Sequence, residues 1–171
     1  NITVNVANAV CKSLSLGTNN NIAILTFAAS SQLTVSGAVT LGKATNISYR
    51  GSIVMTNGGK LICNSLALGN TGTNTFTPGA GTVELTATNT LPATIFTQFN
   101  NLIISVGKTT TGRALTIASL TVKSADEFGL AHAVTANAIS LEGGCAVTGA
   151  IVSGESKLTL GGNVTVTDNT G

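Results

Sequence analysis

The residues of this sequence that could perform chemistry are few and far apart. The six carboxylates of the 171-residue chain are Glu84, Asp126, Glu127, Glu142, Glu155 and Asp168. General acid–base catalysis and glycoside cleavage need two titratable groups that converge on one point, and here only Asp126 and Glu127 are neighbours. Because adjacent carboxylates in a polar segment are typical of a solvated loop, we expect no catalytic pair, although a carbohydrate-active enzyme remains an alternative.

The single histidine, His132, stands without another His or Cys near it in the sequence. A zinc site needs three or four such ligands, and a nucleophilic triad needs a serine and an acid that point at the imidazole. We therefore predict no catalytic, cofactor-binding or metal-binding residue, no cofactor, and no enzymatic activity.

One segment imitates a phosphate-binding loop. Gly37-Ala-Val-Thr-Leu-Gly42-Lys43 has the glycine spacing and the lysine, but Ala44 stands where Ser or Thr must reach magnesium. Val39-Thr-Leu41 also alternates as a strand does. The segment is therefore predicted to be a strand followed by a turn.

Three threonine runs resemble the arrays of ice-binding β-solenoids. They are Thr71–Thr77, Thr86–Thr90 and Thr165–Thr167. Such arrays present hydroxyls and methyls as a flat lattice on consecutive coils, whereas these runs have unequal spacing. Outward Thr on a strand is the simpler interpretation; ice binding remains an alternative that would require alignment on one face.

The composition indicates a folded chain with few charges. Hydrophobic residues make up 43% of it and charged residues 8%, and the net charge is +2. No run approaches the roughly 18 apolar residues that span a bilayer, and no Lys/Arg cluster marks a nucleic-acid surface. We expect no membrane span in this segment and no nucleic-acid partner.

The chain is built from pairs of alternating triplets, rich in Val, Ile, Leu and Thr, with two or three small or polar residues between the members of a pair. This period of two predicts strands and excludes helices. The pairs are Ala9–Cys11 with Leu14–Leu16, Leu33–Val35 with Val39–Leu41, Leu61–Cys63 with Leu66–Leu68, Leu115–Ile117 with Leu120–Val122, Val134–Ala136 with Ile139–Leu141, and Leu158–Leu160 with Val164–Val166. Leu102–Ile104 fills the remaining gap.

The second triplets begin at positions 14, 39, 66, 102, 120, 139 and 164, so the period is about 25 residues, within the range of solenoids. Coils that stack at about 4.8 Å pair each strand with its counterparts above and below. We therefore predict an all-β, right-handed parallel β-helix (β-solenoid) of about seven coils. We expect residues 1–171 to form a single domain that is a segment of a longer repetitive chain or filament.

Several details follow from this prediction. Asn64, Asn137 and Asn163 are expected to form left-handed corners between triplets. The segments 69–81, 105–114 and 124–133 are expected to be loops that leave the rod, and low charge is expected to avoid like-charge ladders.

The three cysteines, Cys11, Cys63 and Cys145, form no Cys-x-x-Cys pair and are odd in number, so we expect buried free thiols. Cys11 and Cys63 share one phase with Ile117 and Ala136 and should lie inside. Two coils separate these cysteines, about 10 Å, which is too far for a disulfide.

The segment Gly79-Ala-Gly-Thr-Val-Glu-Leu85, followed by Phe96-Thr-Gln-Phe-Asn-Asn-Leu-Ile-Ile-Ser105 and by the triplet pairs, resembles repeats of large secreted bacterial β-helical surface proteins. Such repeats occur in Bacteroidota-type adhesins and, more distantly, in filamentous-haemagglutinin and autotransporter passenger domains. The resemblance implies a secreted, extracellular or cell-surface location and an adhesive or filament-forming role.

We therefore expect a structural or adhesive rod. Its open ends would continue into further coils or associate end to end with another subunit, and its ligands would be on cell surfaces, glycans among them. No residue of a binding site can be named from the sequence.

Overall fold

The computed structural model describes residues 1–18, 22–149, 158–160 and 164–167, and these ranges contain eighteen strands and no helix. The strands are β1 (Ile2–Val4), β2 (Ala9–Cys11), β3 (Leu14–Leu16), β4 (Ala23–Phe27), β5 (Gln32–Leu41), β6 (Gly51–Val54), β7 (Lys60–Leu68), β8 (Thr75–Thr77), β9 (Thr82–Leu85), β10 (Asn89–Thr90), β11 (Gln98–Ile104), β12 (Lys108–Thr110), β13 (Leu115–Val122), β14 (Glu127–Leu130), β15 (Val134–Glu142), β16 (Ala146–Gly149), β17 (Leu158–Leu160) and β18 (Val164–Thr167). All pairs of these strands are parallel. The predicted all-β parallel β-solenoid of about seven turns is confirmed.

Three walls enclose the solenoid, and each turn crosses them in the same order. Wall 1 holds β1, β4, β6 and β8, then the first halves of β11, β13 and β15, and β17. Wall 2 holds β2, the first halves of β5 and β7, β9, the second halves of β11, β13 and β15, and β18. Wall 3 holds β3, the second halves of β5 and β7, β10, β12, β14 and β16.

The long bent strands change corner halfway along the rod. In β5 and β7 the bend joins walls 2 and 3, whereas in β11, β13 and β15 it joins walls 1 and 2, with β9 at the change. The predicted alignment of Leu66 with Leu102 is therefore wrong by one wall: Leu102 pairs with Val83, which pairs with Leu61. An alternating triplet looks the same in the sequence whichever wall it forms.

Inward side chains of the three walls form one continuous core. The largest buried side chains include Phe27, Phe96 and Phe128, each fully buried. Where wall 1 passes from β8 to β11, the ring of Phe76 lies 5.2 Å from the ring of Phe96 and 5.3 Å from that of Phe99. Burial of such a side chain contributes about 1.5–3 kcal/mol, so these rings stabilise the place where the ladder is interrupted.

The cysteines lie partly as predicted. Cys11, Val35 and Cys63 are in register on wall 2, so the two cysteines are two turns apart, and all three thiols of the chain are free. The shared phase with Ile117 and Ala136 is wrong, because those residues form wall 1. Cys63 is fully buried, and burial raises the pKa of its thiol to about 12.

The three predicted loops are wrong in part, since each contains a wall strand. Segment 69–81 contains β8, segment 105–114 contains β12, and segment 124–133 contains β14. These strands are short and carry Thr, Lys or Glu outward, which hides their period of two.

The predicted left-handed asparagine corners are also wrong. Asn64 and Asn137 lie within β7 and β15, and the positive-φ residues other than glycine in the described part are Ser30, Ile95 and Ala125. Asn163 lies outside the described residues. Asn64 and Asn137 do lie where their strands bend between two walls, but without a positive φ. Asn64 accepts a hydrogen bond from the Thr86 hydroxyl of the next turn at 2.9 Å, so its amide also joins neighbouring turns.

The three longest fully described connections lie at the corner between wall 3 and wall 1, which we call the loop edge: residues 42–50, 91–97 and 69–74. The shorter connections 111–114 and 131–133 lie at the same corner. The other two corners are short turns or bends inside a strand. No helix in the described ranges is long and apolar enough to cross a membrane.

Candidate functional site

The longest described connection of the loop edge, residues 42–50, has a defined backbone. It begins after β5 at Gly42, whose φ is +80°. The amide of Asn46 donates to the carbonyl of Lys43 at 3.1 Å, and the amide of Tyr49 donates to the carbonyl of Asn46 at 3.2 Å. Two consecutive turns therefore shape this segment, although it projects from the rod.

Asn70, from the next connection along the loop edge, holds these turns together. Its Nδ2 lies 3.2 Å from the carbonyl oxygen of Lys43, 2.8 Å from that of Asn46 and 2.7 Å from that of Tyr49. Its Oδ1 accepts hydrogen bonds from the Gly72 amide at 3.1 Å and the Asn74 side chain at 2.9 Å. One amide side chain thus joins two loops through five contacts, and we call it the Asn70 clamp.

The clamp is supported from inside the solenoid. Asn74 is only 3% exposed, and its Oδ1 accepts a hydrogen bond from the Gly51 amide at 2.8 Å. The two loops also approach so closely that a Cβ at Gly72 would lie 2.1 Å from the carbonyl oxygen of Ile47. Glycine is therefore required there by contact between two backbones.

The segment held by the clamp presents a mixed cationic and apolar surface. The ammonium of Lys43 lies 5.6 Å from the centre of the Tyr49 ring, within the range of a cation–π contact. Ile47 is 66% exposed, and Arg50 is exposed at the end of the segment. We call Lys43, Ile47, Tyr49 and Arg50 the loop-edge patch.

The charge around this patch has one sign. Residues 1–83 contain Lys12, Lys43, Arg50 and Lys60 and no Asp or Glu. Lys60 is paired with Glu84 at 2.6 Å, whereas Lys12, Lys43 and Arg50 make no ion pair within the described residues. The first three turns therefore carry uncompensated positive charge.

Charges elsewhere on the walls join neighbouring turns as opposite pairs. The pairs are Lys60–Glu84 at 2.6 Å, Lys108–Glu127 at 2.6 Å and Lys123–Glu142 at 2.7 Å. Like charges were predicted not to stack, and this arrangement is consistent with that prediction. The pairing of opposite charges between neighbouring turns was not predicted. Because solvent screens such partly exposed pairs, each contributes little to stability.

Glu84 is a described carboxylate whose pKa is subject to opposing influences. Burial would raise the pKa of Glu84, but hydrogen bonds from Lys60 and Ser105 and the positive charges of Lys60 and Lys123 outweigh it and hold the pKa below its ordinary value. This carboxylate is therefore a stabilising anion on the wall.

The adjacent acids identified in the sequence serve separate contacts. Asp126 accepts a hydrogen bond from the Gly107 amide at 2.7 Å, while Glu127 binds Lys108 and the Thr148 hydroxyl. The hydrogen bond from Lys108 is the main cause that lowers the pKa of Glu127. The structure therefore directs these two carboxylates to different partners.

His132 is half-buried at the loop edge, and its backbone amide donates to the Thr111 hydroxyl at 2.9 Å. Among the described residues, no group of three or more His, Cys, Asp or Glu is arranged to hold a metal ion. Glu155 and Asp168 lie outside the described residues.

The remaining motifs belong to the walls. Gly37–Leu41 lies in β5, with Val39 and Leu41 fully buried, so the predicted strand followed by a turn is confirmed. The three threonine runs fall on different parts of the solenoid, because Thr75–Thr77 is β8 of wall 1, Thr90 ends β10 of wall 3, and Thr165–Thr167 is in β18 of wall 2.

A shallow groove of about 270 Å³ lies at the corner between walls 1 and 2. Uncharged residues line it: Pro78, Gly79, Gln98, Phe99, Asn100, Thr116, Ala118 and Asn137. It offers amides and a hydroxyl, without an ionisable group.

The loop-edge patch was missed at the sequence level because its clamp joins residues more than twenty positions apart. Two signals were available: the absence of acids from residues 1–83, and the segment Gly69-Asn-Thr-Gly72, whose glycines flank the clamping amide. Comparison with protein-family models, curated proteins and solved structures finds no match to this chain. The interpretation of the site therefore depends on its own geometry.

Proposed function

We propose that this chain is a rod-like segment of a secreted, extracellular surface or filament protein with a structural and adhesive role, and that it performs no catalysis. The observation that carries the proposal is the continuous parallel ladder of three walls around one apolar core. A stack of this kind lengthens by adding turns, because each turn contacts mainly its neighbours.

Two further features support this role. The outer surface has few charges, and three Lys–Glu pairs connect successive turns along the rod. The longest connections lie along one edge, where exposed side chains can meet a partner without disturbing the ladder. The resemblance to bacterial β-helical surface repeats points in the same direction.

The proposal is tested in the source cells, with the natural full-length protein. Surface-accessible proteolysis and immunogold microscopy should place the segment outside the cell. Ser52 pairs with Thr75 of the next turn, so deletion of residues 52–74 removes one turn and should shorten the projecting structure by about 4.8 Å. Deletion of the whole segment should reduce adhesion. Location in the cytoplasm, or unchanged adhesion after whole-segment deletion, would refute the proposal.

A second candidate, ice binding, is favoured by one observation. Gln98, Thr116, Thr135 and Thr159 are paired in register on consecutive turns of wall 1, and the first three of these side chains are exposed. At Thr116 and Thr135 the row is one residue wide, because the residues on either side of each threonine are buried.

Ice recrystallisation assays discriminate the two candidates. If the row binds ice, Thr116→Tyr and Thr135→Tyr should abolish inhibition of crystal growth, while a substitution at Thr90 on wall 3 should leave it unchanged. A rod with a purely structural role predicts no inhibition in the unmodified protein. Release of oligosaccharides from cell-surface polysaccharides would instead favour the enzymatic alternative.

A further inference from the structure

We propose that the loop-edge patch, Lys43, Ile47, Tyr49 and Arg50, binds acidic polysaccharide, specifically a chain of uronic acids. This inference rests on the proposed adhesive role and names the chemical class of its ligand. The patch lies on the segment held by the Asn70 clamp, so its backbone is ordered before a ligand arrives.

The loop that carries the patch is already ordered before a ligand binds. The amide of Asn70 contacts three carbonyl oxygens of segment 42–50, and the buried Asn74 fixes Asn70 in turn. Binding costs less when the contacting loop is already ordered. A connection that only closed the turn would not need this support, since residues 131–133 close a later turn in three residues.

The positive charge of the patch predicts an anionic ligand. Lys43 and Arg50 are exposed and unpaired within the described residues, and no acid occurs in residues 1–83. Their backbones meet at the base of the segment, because the carbonyls of Lys43 and Tyr49 bind the same Nδ2 atom of Asn70. Two neighbouring cations can therefore pair with carboxylates of one ligand.

The number of cations selects the class of ligand. Stable nucleic-acid binding typically neutralises about 6–10 phosphates, and polybasic membrane attraction uses clusters of about 4–8 Lys or Arg. The patch supplies two. A uronic-acid chain carries one carboxylate on each sugar, so two cations suffice for two sugars, and further contacts come from its hydroxyls and C–H faces.

The apolar members of the patch match those sugar faces. Ile47 is 66% exposed, and the partly exposed ring of Tyr49 lies beneath the Lys43 ammonium. A pyranose ring presents C–H groups on its faces and hydroxyls at its rim, so a segment that exposes apolar side chains together with two cations fits a saccharide better than an inorganic anion. Many weak contacts along a polymer then add through avidity.

The experiment measures binding of the folded chain to immobilised alginate, a linear polyuronate, with neutral pullulan as the matched polymer. We expect binding to alginate alone, weakening as salt rises. The double variant Lys43→Gln/Arg50→Gln should weaken it about five- to twentyfold, because it removes two exposed charge pairs and their hydrogen bonds. Ile47→Ser should weaken it about two- to fivefold.

Arg113→Gln is the matched control, because Arg113 is also exposed on the loop edge but lies three turns away, in connection 111–114. It should change binding less than twofold. Thermal unfolding monitored by circular dichroism should be the same for all three variants, so that a loss of binding cannot come from a loss of folding.

Three outcomes would overturn the inference: equal binding to alginate and pullulan, equal weakening by Arg113→Gln and by the double variant, or binding to phosphatidylglycerol vesicles without binding to alginate. If the protein is on the cell surface and these results appear, the inference fails while the proposed function stands. If alginate binds as expected but the protein is cytoplasmic, the proposed function fails instead.

Discussion

Replacing Thr109 with valine should make the protein more stable. Thr109 lies in β12 with its side chain fully buried, and its hydroxyl has no hydrogen-bond partner in the structure. It pairs in register with Asn89, whose Nδ2 is likewise buried without a partner, and with Phe128 on the other side. An inward polar atom of this kind forfeits its hydrogen bond to water when the chain folds.

The magnitude follows from that loss. A buried polar group without a partner costs about 1–3 kcal/mol, and valine has nearly the same shape as threonine. Thr109→Val should therefore raise the free energy of unfolding by about 1–2 kcal/mol. For a chain of this size that corresponds to an increase in Tm of about 2–8 °C.

Thr111→Val provides the matched control two residues away. Thr111 is also buried, at 1% exposure, but its hydroxyl oxygen accepts hydrogen bonds from the amides of Ala131 and His132, both at 2.9 Å. The same chemical change at Thr111 removes the acceptor of two amides, so it should lower the free energy of unfolding by about 1–3 kcal/mol.

The assay is urea unfolding followed by circular dichroism, with Tm as a second readout. The two variants should shift the midpoint in opposite directions. A shift in the same direction for both, or a loss of stability in Thr109→Val, would refute the reasoning and would indicate a buried water that bridges Asn89 and Thr109.

Three further predictions concern the clamp, an ion pair and a thiol. Asn70→Asp replaces a donor with a carboxylate facing three carbonyl oxygens, so hydrogen exchange in segment 43–50 should accelerate at least tenfold, and unchanged exchange would contradict the clamp. Lys60→Met should raise the pKa of Glu84 in a carboxyl NMR titration, because Ser105 and Lys123 alone then oppose the effect of burial. The depressed pKa stabilises the fold above the unfolded pKa, and this contribution is lost as pH falls through the folded pKa; it should be smaller in the variant, and an unmoved titration would refute the pairing. Cys63 should resist iodoacetamide at pH 8 until the protein is unfolded, since burial raises its pKa to about 12; labelling at the rate of the other two cysteines would show that its wall opens.

The sequence allowed the strands of the walls to be predicted, but it did not determine which wall each strand forms. Triplets such as Leu61–Cys63 and Leu120–Val122 predicted strands correctly because one buried face imposes a period of two. Their wall could not be deduced, because the bend moves from one corner to another at β9 and both bends use small or polar residues. Only the pairing of Val83 with Leu61 and Leu102 identifies the change.

The candidate site was predictable to a smaller degree. The excess of positive charge before Glu84 can be counted in the sequence. The contact of Asn70 with the carbonyls of Lys43, Asn46 and Tyr49 could not be predicted from the sequence, because it requires two loops of different length to meet at one corner. When two residues lie on successive turns, their separation in the sequence does not reveal how far apart they are in space.

The loop edge stays at the same corner of the solenoid, although the bend inside the long strands moves from one of the other corners to the next. The bent strand joins walls 2 and 3 in β5 and β7 and walls 1 and 2 in β11, β13 and β15, but no described strand bridges walls 3 and 1. That corner is therefore free of a continuous ladder in every described turn, and its connections can vary in length without breaking a strand. Side chains on these connections fall along a single line parallel to the rod. Lys43 and Arg113 lie on that line three turns apart, so a substitution at one leaves the surroundings of the other unchanged.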